Sequence, residues 1–162
     1  GNIQELSNEE CKFGYRNSVF KEKNLIVLSA VLALAQGNSE ELRSIAQDRE
    51  KYRRDRHPLH LPNAGSVFKN CELEKFPQEF LEFVKPVVKT DPFPVVPIAF
   101  LISEAGLKGV RQGGAEISAM HPNFIVNNGH ATAQDVISLM QKVKDELKKR
   151  YHIALEEELQ HV

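Results

Sequence analysis

The chain has 162 residues, enough for one ordinary domain or slightly more. Lys and Arg number 21 against 22 Asp and Glu, for a net charge of −1, and this balance argues against a general nucleic-acid-binding protein. No apolar run reaches the ~18 residues of a membrane span, and the first residues lack the layout of a signal peptide. The two cysteines, Cys11 and Cys71, show no disulfide-framework or metal-ligand spacing, which favours reduced thiols in a cytosolic protein without a metal.

The first regular pattern predicts a buried strand and then a polar helix. Asn24 to Leu34 is rich in β-branched residues and apolar on both alternations, as in a strand buried on both faces. After a break at 37–39, the pattern predicts a helix over Glu40 to Arg54, capped by Asn38 or Ser39.

The middle of the chain is rich in proline and predicts mostly irregular structure. Asn63 to Ser66 predicts a loop or turn, and Val67-Phe68 the start of a short strand. Phe76 to Val84 predicts a short helix with Pro77 in its first turn. Lys85 to Pro97 predicts an extended connector.

The last third predicts alternating helices and strands. The expected elements are a helix over Ile98 to Ala105 ended by Gly106, strands over Val110 to Ile117 and Asn123 to Asn127, a helix over Thr132 to Tyr151, and a final strand over Ile153 to Leu159. Thr132 and Asp135 have the spacing of an N-terminal cap. The sum predicts an α+β fold, with helices packed on a small, mostly antiparallel sheet.

Four clusters combine residue types that suit a binding or catalytic site. They are Phe13 to Ser18, Asn63 to Asn70, Gly109 to Ala115 with His121 to Phe124, and Leu155 to Leu159. Each also has a purely structural explanation: a tight turn around Ser66, strand curvature at Gly113-Gly114, a hydrogen-bonded His121, and a solvated run of glutamates. On a strand, however, Glu156 and Glu158 share one face, which can direct carboxylates at a pocket.

Taken together, the clusters resemble the UDP-N-acetylenolpyruvoylglucosamine reductase family. The matching elements, in chain order, are FGYRNSVFK at 13–21, NAGSVFKN at 63–70, AGLKGVRQGGA at 105–115, HPNFIVN at 121–127, ATAQDV at 131–136 and LEEE at 155–158. Each element alone is weak, whereas six in register over nearly the whole chain are specific.

The resemblance implies only the C-terminal part of a flavoenzyme. The family's glycine-rich flavin-binding segments are not found in this sequence. Residues 1–34 are therefore expected to be the tail, or remnant, of the FAD-binding domain, and residues 35–162 the substrate-binding domain. FAD would be held mainly by a portion absent here, so no cofactor-binding residue is assigned.

The implied reaction is the reduction of an enol ether on a UDP-sugar in peptidoglycan synthesis, with NADPH as reductant of the FAD. Such an enzyme serves cell-wall biogenesis, cell shape and cell division in the bacterial cytoplasm. The expected partner is the UDP-sugar, with no nucleic acid, membrane or protein partner. This chain alone is expected to be colourless and inactive. The alternatives are a non-catalytic UDP-sugar-binding module and a scaffold that has lost its ligand.

The resemblance also assigns site residues. Ser66 matches the family's proton donor, Glu158 its second catalytic residue, and Arg16 a further catalytic position. Tyr15, Lys69 and Asn70 match substrate-binding positions near the diphosphate. Either Arg54 or Arg56 stands where many relatives have a lysine, and Arg56 is taken as the binder. An arginine there offers a fixed fork rather than a mobile point charge.

Overall fold

The computed structural model describes residues 2–23, 25–91 and 93–160. By their internal contacts the residues divide into two compact units, Gly1–Arg43 and Ser44–Val162. The predicted domain boundary at residues 34 and 35 remains a prediction. No helix among the described residues has both the length and the apolar character needed to cross a membrane.

The first unit contains a tight hairpin and little other regular structure. Gly14 and Asn17 pair through two backbone hydrogen bonds of 3.0 and 3.2 Å, and helix α1 follows at Val19–Glu22. Cys11 is buried, and its carbonyl accepts a hydrogen bond from the Val19 N–H at 3.0 Å.

The strand predicted from Asn24 to Leu34 is not observed. Asn24 lies outside the described residues, and residues 25–34 form neither helix nor strand and are exposed. The prediction is wrong for this chain because a strand needs a hydrogen-bonded neighbour, and residues 26–34 pair with no other residue that the structure describes.

Helix α2 spans Ser39–Arg56, two residues longer at its C-terminal end than predicted. Its N-terminus is capped by Asn38, whose Oδ1 accepts hydrogen bonds from the N–H groups of Glu40 at 2.9 Å and Glu41 at 3.2 Å. No residue of this helix is buried.

The second unit holds the sheet and the hydrophobic core. Its strands are β1 (Asn63–Ser66), β2 (Cys71–Glu72), β3 (Val95–Val96), β4 (Arg111–Gln112), β5 (Ala115–Ile117) and β6 (Phe124–Asn127). Four of them form a sheet in the order β1-β6-β5-β4, while β2 and β3 pair separately. Every pairing is antiparallel, which confirms the predicted fold class.

Three helices complete this unit: α3 (Leu81–Val84), α4 (Ile98–Glu104) and α5 (Ala133–Tyr151). Helix α5 begins with a capping box, in which the Thr132 hydroxyl accepts from the Asp135 N–H and the Asp135 carboxylate accepts from the Thr132 N–H. The core side chains come from both sheets and from α4 and α5. Among the largest that are fully buried are Phe68, Ile98, Leu101, Ile102, Ile117, Leu139 and Leu147.

Several predicted elements differ in detail. Asn63–Ser66 is a strand rather than a loop, because it pairs with β6. The predicted helix over Phe76 to Val84 consists of a 3-10 turn at Gln78–Phe80 and then α3. The predicted connector contains β3 and a 3-10 turn at Lys85–Val87, while Pro92 lies outside the described residues.

The predicted strand over Val110 to Ile117 is a hairpin of β4 and β5 that turns at Gly113-Gly114. A Cβ on Gly114 would lie closer than 3.0 Å to backbone atoms of residues 129–131. These glycines therefore serve close packing of the protein on itself, and Arg111 forms an ion pair of 2.6 Å with Glu116 across the hairpin.

Candidate functional site

The Asn-Ala-Gly-Ser element forms an irregular edge strand. Asn63 pairs with Val126 and Ser66 with Phe124, with a shift of register between the two pairs. Gly65 has a φ of +86°, a conformation that side chains other than glycine rarely adopt. The Asn63 Oδ1 accepts a 3.0 Å hydrogen bond from the Gly65 N–H. Asparagine and glycine thus shape the backbone and leave Ser66 as the member of the element suited to chemistry.

The chain beyond Ser66 is held by the buried side chain of Asn123, which is 4% exposed. Its Oδ1 accepts from the Phe68 N–H at 3.0 Å, and its Nδ2 donates to the Phe68 carbonyl at 2.8 Å. The Val67 N–H also donates to the Asn123 carbonyl at 2.8 Å. Asn123 therefore fixes the segment that follows Ser66.

The C-terminal glutamates lie beside this same segment. The Glu158 N–H donates to the Val67 carbonyl at 2.8 Å, and the Lys69 N–H donates to the Glu156 carbonyl at 2.9 Å. Among the residues that the structure describes, the predicted strand over 153–159 forms a single bridge, between Phe68 and Glu157. This pairing places Glu158, distant in sequence, opposite Val67, the residue that follows Ser66.

Neighbouring glutamates of this stretch have different partners. The Glu156 carboxylate lies 3.0 Å from the Lys69 ammonium. The Glu157 carboxylate lies 2.5 Å from the Lys144 ammonium on α5. Glu156 and Glu157 therefore point to different sides, as the strand alternation predicts. Glu158 is half-buried.

The Ser66 hydroxyl is half-buried and forms no hydrogen bond with another residue in the described part of the chain. An open cleft of about 350 Å³ is lined by parts of β1 and β6, the start of α5 and Leu159, and neither Ser66 nor Glu158 is among its lining residues. The lining residues include Asn63, Gly65, Val67, Asn127 and Thr132.

Two of the predicted substrate-binding residues have contacts within the second unit. The Asn70 Oδ1 accepts a hydrogen bond of 3.2 Å from the N–H of Ile98, the first residue of α4. The Arg56 guanidinium lies over the Tyr52 ring, 4.6 Å from its centroid, while the alternative arginine, Arg54, pairs with Glu50 at 2.8 Å. These contacts give Asn70 a structural role and leave both arginines on an exposed helix.

Tyr15 and Arg16 form the tip of the hairpin in the first unit. Arg16 has a φ of +55° and its guanidinium carbon lies 5.9 Å from the centroid of the Tyr15 ring. The Arg16 carbonyl accepts a hydrogen bond of 3.2 Å from the Lys21 ammonium. The two predicted residues are thus presented together on one tight turn.

The structure also brings together two histidines that the sequence did not connect. The rings of His57 and His121 meet edge to face at 5.1 Å, and Phe124, the strand partner of Ser66, packs against both. The Nδ1 atoms of both histidines are buried, with no hydrogen-bond partner among the described residues. Both precede prolines, but no sequence signal pairs them, since their contact arises from the antiparallel pairing of β1 with β6.

Burial lowers the pKa of both histidines, so the neutral imidazole is favoured. The nearby Arg53 charge lowers the pKa of His57 further. The nearby His57 and Lys89 act in the same direction on the pKa of His121.

Burial and nearby charges suppress the reactivity of the Cys71 thiol. Cys71 carries a free thiol, and burial, followed by the charges of Glu156 and Glu72, raises its pKa to about 11. Such a thiol is a poor nucleophile at neutral pH. Among residues 2–23, 25–91 and 93–160, no group of three or more His, Cys, Asp or Glu side chains is placed to hold a metal ion.

Comparison with known proteins identifies the same family that the sequence motifs resemble. The sequence model of the family described as "UDP-N-acetylenolpyruvoylglucosamine reductase, C-terminal domain" matches residues 57–162. The chain belongs to this family.

Relatives match almost the whole chain. A UDP-N-acetylenolpyruvoylglucosamine reductase of Syntrophomonas wolfei is 40% identical over 98% of this chain and 46% of its own length. One from Halalkalibacterium halodurans is 38% identical over 99% of this chain and 46% of its own. The crystal structure of the Thermus caldophilus enzyme superposes with a TM-score of 0.67 at 33% identity, covering 94% of this chain and 46% of that one. The chain thus spans less than half the length of these relatives.

Proposed function

We propose that this chain is the substrate-binding part of a reductase that acts on UDP-N-acetylglucosamine enolpyruvate and forms UDP-N-acetylmuramate. The observation that carries the proposal is the hydrogen bond from the Glu158 N–H to the Val67 carbonyl. It joins two of the elements on which the family resemblance rests, next to the serine whose hydroxyl has no partner in the described chain. In this role the protein serves peptidoglycan synthesis in the bacterial cytoplasm.

The described residues do not fit FAD on their own. A flavin dinucleotide needs a cradle for its diphosphate, usually a glycine-rich turn with free backbone N–H groups. At the Gly113-Gly114 pair, the space of a Cβ is already filled by Asp135 and by the backbone of residues 129–131. FAD held by another portion of the enzyme would supply the hydride in its reduced form, and NADPH would reduce the FAD again.

Ser66 is proposed to donate a proton to the substrate. Hydride addition to the vinyl group leaves negative charge on the carbon beside the substrate carboxylate, and that carbon must receive a proton. A serine hydroxyl is a poor acid, so it needs a partner that stabilises the charge or supplies the proton in turn. Glu158, across the pairing from Val67, is proposed for that role, and Arg16 for a supporting one.

The remaining proposed residues would bind the diphosphate and the sugar. Lys69 holds Glu156 in a half-exposed ion pair, and a diphosphate oxygen can replace that carboxylate as its partner. Arg56 would have to leave the Tyr52 ring, a stacking worth about 1 kcal/mol at an exposed site. Tyr15 would contribute from the hairpin, and Asn70 through its amide nitrogen, because its Oδ1 caps α4.

The decisive experiment separates the two half-reactions in a full-length enzyme made by joining this chain to the part of the Syntrophomonas wolfei relative that it does not match. Ser66→Ala should leave flavin reduction by NADPH unchanged and slow reoxidation by the UDP-sugar at least ~100-fold, the usual contribution of a positioned acid. Ser138→Ala, at a serine whose hydroxyl donates to the Gln134 carbonyl within α5, is the matched control and should change neither rate. Equal loss in both half-reactions, or unimpaired reoxidation, would contradict the assignment of Ser66.

Calorimetry on the isolated chain provides a second test. UDP-N-acetylglucosamine enolpyruvate should bind with measurable heat, whereas FAD should give none. Tight FAD binding would contradict the proposed division of labour. A non-catalytic binding module would be favoured by two results together. The isolated chain would be colourless and bind the UDP-sugar, and the full-length enzyme would have no activity.

A further inference from the structure

The segment that follows α5 carries Glu158 but is held by few backbone hydrogen bonds. Among the described residues, 152–160 form one isolated bridge, between Phe68 and Glu157, and the Glu158 N–H donates to the Val67 carbonyl beside it. A pairing this short is marginally stable in water. The direction of the Glu158 side chain therefore depends on how the neighbouring side chains of the segment are held.

An ion pair joins this segment to α5. The Lys144 ammonium lies 2.5 Å from the Glu157 carboxylate, and the two side chains are only 31% and 25% exposed. The Glu156 carboxylate, in its pair with Lys69, is 70% exposed. Exposed pairs contribute little to stability, whereas the loss of one partner of a more buried pair leaves a charge without compensation. The pair between Lys144 and Glu157 is therefore the stronger of these two attachments.

Helix α5 gives Lys144 a rigid base. The capping box fixes its N-terminus, and Met140 and Leu147, which lie one turn before and one turn after Lys144, are buried in the core. Neighbouring side chains of an extended chain point to opposite sides. Holding Glu157 against α5 therefore directs Glu158 away from this helix.

We infer that Lys144 is a positioning residue for the proposed reaction, which holds Glu157 and thereby keeps the Glu158 carboxylate in the orientation that the proton transfer requires. The inference rests on the proposed function, because it gives Lys144 an effect on the step assigned to Glu158. Lys144 acts through Glu157 and needs no contact with the substrate. Its loss should therefore slow the chemical step without weakening substrate binding.

The test measures both half-reactions in the full-length enzyme made with the Syntrophomonas wolfei relative. Lys144→Met keeps a long side chain beside Glu157 but removes its charge. Flavin reduction by NADPH should be unchanged, and reoxidation by the UDP-sugar should slow roughly 10- to 100-fold, with kcat lowered and KM unchanged. Lys144→Arg keeps the charge and should restore most of the rate. Lys142→Met, at an exposed lysine of the same helix, is the matched control and should change neither rate.

A second variant removes the same ion pair from its other side. Glu157→Gln should slow reoxidation as much as Lys144→Met, and the double variant should be no slower than either single variant, because the two residues act as one unit. Reoxidation at the wild-type rate with Lys144→Met, equal slowing with Lys142→Met, a raised KM at unchanged kcat, or additive effects of the two variants would each overturn the inference.

Hydrogen exchange separates this inference from the proposed function, because it needs no activity. In this chain, the Glu158 amide should exchange at least ~10-fold faster with Lys144→Met than in the wild type, since its pairing with Val67 loses the link to α5. Equal exchange would overturn the inference. A full-length enzyme that is inactive on the UDP-sugar while the Glu158 amide responds contradicts the proposed function and leaves Lys144 as the residue that holds the segment. An enzyme that is equally active with Lys144→Met supports the proposed function and overturns the inference.

Discussion

Replacing Asn123 by Ala should destabilise the second unit more than any exposed asparagine replacement. The Asn123 side chain forms two hydrogen bonds to the backbone of Phe68, one to its N–H and one to its carbonyl. Phe68 is 2% exposed, so water cannot readily replace the lost partner. Each of the two buried, unsatisfied backbone groups costs about 1–3 kcal/mol, which gives a loss of roughly 2–6 kcal/mol in the free energy of unfolding.

The measurement is urea unfolding followed by far-ultraviolet circular dichroism, with a thermal melt beside it. For a unit of this size, the expected loss lowers the melting temperature by roughly 10–20 °C. Asn128→Ala is the matched control, because its exposed side chain donates to Glu116 on the surface, and it should cost less than about 1 kcal/mol. If both variants lose the same small amount, Asn123 does not hold the segment after Ser66, and the reasoning fails.

Three further predictions concern packing, pH and thiol reactivity. Gly114→Ala should cost about 3 kcal/mol in urea unfolding, at the upper end of overpacking costs, whereas Gly109→Ala, with φ of +72° and open space around its Cβ, should cost only about 1–2 kcal/mol. Because the folded-state pKa values of His57 and His121 lie below the ordinary 6.5, the unfolded state binds more protons below that pH. The free energy of unfolding should therefore fall between about pH 7 and about pH 5, and His57→Gln with His121→Gln should flatten that slope; an unchanged slope would contradict it. Cys71, with its pKa of about 11, should react with iodoacetamide at about pH 8 roughly 100-fold more slowly in the folded than in the urea-unfolded chain, as followed by mass spectrometry, and equal rates would refute the burial of its thiol.

The long amphipathic elements were predictable from sequence because their signals are local. Helix α5 combines a capping box at Thr132 and Asp135 with apolar residues every three or four positions, and its bounds were predicted to within one residue. Helix α4 and strand β6 followed from the same reasoning. In each case the propensity of the chain and its tertiary burial favour the same structure.

The errors occurred where tertiary pairing decides the structure. Asn63–Ser66 has the composition of a turn but becomes a strand because β6 pairs with it. Residues 26–34 have the composition of a strand but form no backbone hydrogen bond with another described residue. Both errors have one cause, since sheet formation depends on partners that are remote in sequence or outside the chain.

The candidate site was only partly accessible from sequence for the same reason. Ser66 and Glu158 were identified by resemblance, but no local signal places Glu158 beside Val67. The clamp formed by Asn123 and the contact between His57 and His121 likewise depend on the pairing of β1 with β6. Asn70, by contrast, belongs to a family element, yet its side-chain Oδ1 accepts a hydrogen bond from the first residue of α4. A family motif therefore also contains residues with a structural role.

The Asn-Ala-Gly-Ser element combines residues that its backbone requires with one that it does not. Asn63 binds the Gly65 N–H, and Gly65 supplies the positive φ, so both residues are required by the backbone whatever the reaction. A protein that had lost its activity but kept this strand would still need them, whereas it would have no need of the Ser66 hydroxyl, which holds no hydrogen bond within the described chain. The presence of serine at that position, one residue before the carbonyl that accepts from the Glu158 N–H, is therefore the feature of the element that argues for chemistry rather than for folding.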